Sequence, residues 1–212
     1  MNRRGMILLA LILIVTLPAA AGDWNSSIRV DAGDSRSKDL STVNGQIRIG
    51  DGATVQGDAE TVNGSIEIGH DVRLDAASTV NGSIEIGEGT VVAGDVETVN
   101  GSITMGDGSS AKAVASVNGA LNLDGADVDG DISTYNGNVT LQGGATVGGD
   151  LIIREANHRG NRHRDQPIKI YIEDGATIDG DLIVEDDDQK VELYISGGSV
   201  SGEIRGAKIV RK

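Results

Sequence analysis

Thr61-Val62-Asn63-Gly64-Ser65-Ile66-Glu67-Ile68-Gly69 returns almost letter for letter as Thr79-Val80-Asn81-Gly82-Ser83-Ile84-Glu85-Ile86-Gly87. The Asn-Gly pair occurs six times, at Asn44, Asn63, Asn81, Asn100, Asn118 and Asn136, with gaps of 19, 18, 19, 18 and 18 residues. Thr or Ser, then Val or Tyr, precedes each pair. One free position follows it, and then an apolar–polar–apolar triplet. A unit this short cannot bury its own apolar face, so its stability has to come from stacking on its neighbours.

The triplet is the period-2 signature of a strand with one buried face. A second half-repeat, Gly52-Ala53-Thr54-Val55-Gln56-Gly57-Asp58, recurs from Gly89, Gly144 and Gly175, with weaker copies centred on Leu74, Ala111, Val128 and Val200. Eighteen residues divide naturally into three short strands, which predicts a triangular coil. Asn-Gly between apolar runs is also a hairpin signal. A meander, however, would not need the same residue type at the same place in every repeat, and here position matches position for seven turns. The expectation is therefore an all-β, single-stranded parallel β-solenoid of 18–19 residues per coil. Eight or nine coils at about 4.8 Å each make a rod of roughly 40 Å. The preference of parallel crossovers for one hand agrees with a right-handed helix, while hexapeptide-repeat helices of similar coil size are left-handed.

Trp24-Asn25-Ser26-Ser27-Ile28-Arg29-Val30 carries the pattern without the Gly and reads as a first coil, with Trp24 closing the end of the core. Stacking in register would turn the asparagines into a column of side-chain amides, each bonding the next. Their expected role is to hold corners, not to bind ligands. The Gly after each Asn is expected at a corner needing positive φ. The outward positions read Arg29, Arg48, Glu67, Glu85, Thr104, Asn122 and Thr140, then Tyr171 and Tyr194. Glu67 and Glu85 would repel mildly, with Arg48 placed to offset part of this.

Composition agrees with a thin interior. The 212 residues include 31 Gly, two Pro, one Trp and neither Phe nor Cys, so the core must be aliphatic and no disulfide contributes. Residues 1–21 read as an export signal: Arg3 and Arg4, an apolar run from Gly5 to Leu17, and Pro18-Ala19-Ala20-Ala21 as a cleavage site. That run is shorter than the roughly 20 residues a span requires, so contact with a membrane is expected only if the segment is retained. Without Arg3 and Arg4 the chain holds 16 basic and 32 acidic residues, a charge of −16. Like-charge repulsion argues against nucleic acid as a partner.

The solenoid is expected over residues 22–206, followed by a basic tail at 207–212. The pattern breaks at 154–167, an insertion with Arg154, His158, Arg159, Arg162, His163 and Arg164. Solenoids place such insertions on one face, often the binding face. A solvated loop and a basic contact are both open readings. The contact would take an acidic glycan, a lipid headgroup or the acidic flank of another copy. Together with Tyr171 and Tyr194 these residues form the candidate binding set. His158, His163 and Asp165 match no metal motif, and Glu185-Asp186-Asp187-Asp188 lacks the spacing of a calcium loop. No cofactor or metal is expected. No nucleophile elbow, zinc motif or phosphate loop appears, and a non-enzymatic role follows.

The coils from Gly144 to Leu151 and from Gly175 to Leu182 resemble those of the polymer-forming bactofilins. The Val62 to Ile66 pattern is similar to exported, adhesin-like bacterial β-strand-repeat proteins. The likeness spans residues 41–206. The bactofilin resemblance implies a right-handed β-helix assembling end to end without nucleotide. This chain departs from it in its export signal, since bactofilins are cytoplasmic. The expected function is a self-associating structural protein of the cell envelope, periplasmic or at the cell surface, with contacts end to end or end to flank. The alternative is a monomeric module gripping an envelope glycan or protein through the Arg-rich loop and the Tyr face.

Overall fold

Ile66, Glu67 and Ile68 form a three-residue strand with both isoleucines buried and the glutamate turned outward. Ile66 pairs in parallel with Ile47 below it and Ile84 above it. The same register continues through Ile103, Leu121, Val139, Ile170 and Leu193. The computed structural model describes residues 25–155 and 166–210, and these form a parallel β-solenoid of about nine turns. The expected signal segment, Trp24 and most of the insertion lie outside the described residues.

Three sheets make the walls. The first has ten strands, from Ile28–Val30 to Lys208–Ile209, and contains every apolar–polar–apolar triplet. The second has nine two-residue strands, from Ser35–Arg36 to Ser199–Val200. The third has nine, from Leu40–Thr42 to Ile204–Arg205. The half-repeat centres predicted at Leu74, Ala111, Val128 and Val200 all fall in the second sheet. Alternation sends every second side chain of a strand inward, and the interior is filled by Ile, Leu, Val and Ala with Met105. Each fully buried Ile or Leu contributes about 1.5–3 kcal/mol. Because this filling repeats every turn, stability accumulates along the rod rather than at one centre.

The corners divide the glycines into two classes. Between the first and second sheets the chain turns through positive φ at Gly52, Gly89, Gly108, Gly125, Gly143 and Gly175, with Asp71 (φ 55°) taking the same place in its own turn. The Asn-Gly glycines are absent from this group, which corrects the expectation of positive φ there. Their requirement is space. A Cβ on Gly64, Gly82, Gly101, Gly119 or Gly137 would fall far inside van der Waals contact of the carbonyl oxygen of the equivalent glycine one turn below.

Where Asn-Gly ends, the geometry changes. After the insertion the first-sheet strands lengthen to six residues, Ile168–Glu173 and Val191–Ser196. The register still bridges the gap, pairing Val139 with Ile170 across it. The solenoid also runs past residue 206. Lys208 and Ile209 form its last strand against Glu192 and Leu193, because Ile209 continues the inward column.

Candidate functional site

The asparagine column is an unbroken ladder. Asn44 Nδ2 donates to Asn25 Oδ1 at 2.6 Å, and Asn63 donates to Asn44 and Asn81 to Asn63, each at 2.8 Å. Asn100, Asn118 and Asn136 extend it at 2.9, 3.0 and 2.9 Å. Each of the five rungs from Asn44 to Asn118 donates to one neighbour and accepts from the other. All five carboxamides are engaged within the column from Asn25 to Asn136, as expected of a structural corner.

Behind the ladder lies a second column that the repeat pattern alone did not announce. Thr42, Thr61, Thr79, Thr98 and Ser116 are buried, and each hydroxyl donates to a backbone carbonyl of the turn below. Thr61 takes Gly45 O, Thr79 takes Gly64 O and Thr98 takes Gly82 O, all at 2.9 Å. These are the carbonyls pressed against the Asn-Gly glycines. An unsatisfied buried carbonyl costs about 1–3 kcal/mol, so the hydroxyl and the missing Cβ act together. The recurring Thr or Ser two residues before each Asn was the available signal.

The expected binding residues do not converge. Tyr171 and Tyr194 are in register, and their rings stack at 4.9 Å and 17°. Each ring turns one face onto the other. The Tyr194 hydroxyl donates to Glu192 at 2.8 Å. Arg154 belongs to the rod: its side chain is 15% exposed and pairs with Glu185 at 3.2 Å. His158, Arg159, Arg162, His163 and Arg164 lie outside the described residues. An open hollow of about 570 Å³ borders the return of the insertion, between Asn118, Asn136, Asn138 and Gln166–Ile168. Among the described residues its walls offer amides and backbone, without a nucleophile or a carboxylate pair. Among the described residues no three His, Asp or Glu side chains group as metal ligands.

Charge is distributed unevenly over the walls. On the first sheet Glu67 and Glu85 are direct neighbours, and Arg48 meets Glu67 at 2.5 Å. The third sheet stacks Ser41, Glu60, Ser78, Glu97, Ala115 and Ser133 outward, with Asp58 and Asp95 in the adjoining column. Burial, with Asp95 second, pushes the Glu97 carboxyl up to about 7. Burial and the neighbouring aspartates also raise Asp58 and Glu60. Asp95 Oδ1 is buried without a hydrogen-bond partner among the described residues.

The C-terminal end of the rod differs from its flanks. Ser199–Val200, Ile204–Arg205 and Lys208–Ile209 each pair on one side only among the described residues. Ile195 and Ile209 are 38% and 49% exposed there, and Val200 and Ile204 are half-buried. Arg205 ties this turn down, reaching Glu203 at 2.7 Å and Asp181 at 3.3 Å. No protein-family model, curated protein or solved structure matches the chain.

Proposed function

We propose that the protein is an exported structural rod of the bacterial cell envelope that acts by associating with further copies of itself, without catalysis. The observation that carries this reading is the C-terminal end. Among the described residues, three strand edges and the side chains of Ile195 and Ile209 stand open at the same face. Open edges are templates for adding strands, and apolar core residues at an end gain from being covered. A second copy stacked on this face would continue the three sheets in the register that each turn already offers to the next. The export signal and the resemblance to bactofilins and adhesin-like repeat proteins support the same reading.

Sedimentation of the chain lacking residues 1–21, over a concentration series, tests this. The expected result is a mass that rises with concentration and falls to that of the monomer in Ile195→Lys/Ile209→Lys. A monomer at every concentration would overturn the proposal. So would assembly indifferent to the two lysines.

A further inference from the structure

Close stacking places Gly after Asn in six turns, and Asn-Gly is the dipeptide most open to spontaneous deamidation. Without a Cβ, the glycine nitrogen meets the least hindrance on its way to the preceding side chain. The reaction needs only water. The glycine backbone nitrogen loses its proton and attacks Asn Cγ. The N–Cγ bond forms, the Cγ–Nδ2 bond breaks, and Nδ2 leaves as ammonia with the proton taken from the backbone. Water then opens the succinimide at either carbonyl to give aspartate or isoaspartate. A chain with six such sites would be short-lived if all were free to cyclise.

We propose that the asparagine ladder gates deamidation at Asn44, Asn63, Asn81, Asn100 and Asn118, making each a modification site that reacts on unfolding and is held inert in the stacked rod. Two features of the geometry impose the gate. Each of these carboxamides both donates and accepts within the ladder, at 2.6–3.0 Å, so cyclisation must first break two bonds. The following glycine has little room to swing toward Cγ, because the backbone of the turn below fills the space where its Cβ would stand. The close approach that demands glycine therefore also blocks the reaction that glycine invites.

Reaction would be one-way. An aspartate at position 63 has no Nδ2 to donate to Asn44 Oδ1 and sets a carboxylate against it. An isoaspartate adds a methylene to the main chain and shifts the 18-residue register. A chain left unfolded for long thus loses the ability to restack.

Peptide mapping by mass spectrometry, with the full chain incubated at mildly alkaline pH, reads the gate directly. Interior rungs should deamidate about tenfold or more slowly in the folded chain than in urea, because reaction must wait for local opening. In Asn81→Ala, verified as folded by circular dichroism, Asn63 loses its donor and Asn100 its acceptor. Both should react about fivefold faster, while Asn44 and Asn118 keep the parent rate. Ile84→Val serves as a control of reduced stability with the ladder intact, and should not speed Asn63 and Asn100 more than Asn44 and Asn118. Parent rates at Asn63 and Asn100 in folded Asn81→Ala would overturn the proposal, as would the same preference for Asn63 and Asn100 over Asn44 and Asn118 in the Ile84→Val control. If Asn81→Ala does not fold, a urea series on the parent decides. Rates should climb with the unfolded fraction, and rates flat through the transition would refute the gate.

Discussion

Thr79 Oγ1 donates to the carbonyl oxygen of Gly64 at 2.9 Å, one turn below, and the side chain that Gly82 lacks would press against that same oxygen. One backbone atom thus sets two sequence requirements on the next turn: a hydroxyl at position 79 and no side chain at position 82. Repetition of this arrangement gives the Asn-Gly corner its constancy from turn to turn.

The two glycine classes should respond differently to alanine. Gly52 has φ +67° and open space where a methyl group would stand, so Gly52→Ala meets only the backbone penalty of about 1–2 kcal/mol. Gly82→Ala has to push two turns apart and should cost about 3 kcal/mol or more, since tightly packed backbone cannot yield as a side chain does. Urea unfolding of both variants measures the difference. A Gly82→Ala chain no less stable than Gly52→Ala would show that the turns are not in close contact.

Thr79→Val keeps the shape of the side chain and removes the donor. It should destabilise by about 1–3 kcal/mol, the cost of a buried carbonyl left unpaired. Thr79→Ser keeps the hydroxyl and loses one methyl, so it should fall by roughly 1 kcal/mol, near the value of a single buried methylene. Equal losses in the two variants would assign the threonine to packing alone.

Glu97 predicts a pH dependence with a definite sign. Its carboxyl titrates at about 7 in the folded chain and near the ordinary glutamate value when unfolded. Below about pH 4.5 both states carry the proton, and Glu97 makes no difference. As pH rises toward 7 the unfolded state sheds its proton first, so stability falls through that window and stays lower above it. Glu97→Gln should therefore match the parent at about pH 4. At about pH 8 it should be more stable by about 1–2 kcal/mol, after allowance for solvent screening of a half-buried group. Paired denaturation curves at the two pH values provide the check, and a variant less stable at the higher pH would contradict the assignment.

Asp71 holds φ 55° at a corner where Gly52 and Gly89 serve in the adjacent turns. Relief of left-handed strain in Asp71→Gly should raise stability by about 0.5–1 kcal/mol, partly offset by the greater freedom of glycine in the unfolded chain. Thermal melting reads this directly, with a lowered midpoint as the contrary result.

Much of this was legible beforehand. The spacing of Asn44 through Asn136, the Ile-Glu-Ile alternation and the break after Ile153 specified parallel stacked turns, and all three appear in the strand register. The neighbours Glu67 and Glu85, with Arg48 against Glu67, also followed from counting positions. The reason Gly64 and Gly82 are glycines did not. Sequence records that a side chain is missing, and turn geometry and close approach both produce that record. The threonine column was visible as a recurring letter, but its acceptor lies on another turn. Tyr171 and Tyr194 were placed on one outward column, yet the direction of their ring faces depends on how closely the strands pack.

The linear chain by itself determined that this protein is a stack. A repeat too short to hold its own core leaves no other way to shield its isoleucines, and periodicity alone states the repeat length. Three-dimensional packing decided what the repeated letters are for. The distance between neighbouring backbones, the partner of each buried hydroxyl and the environment of Glu97 all arise between residues on successive turns. Those quantities exist only once one turn rests on the next.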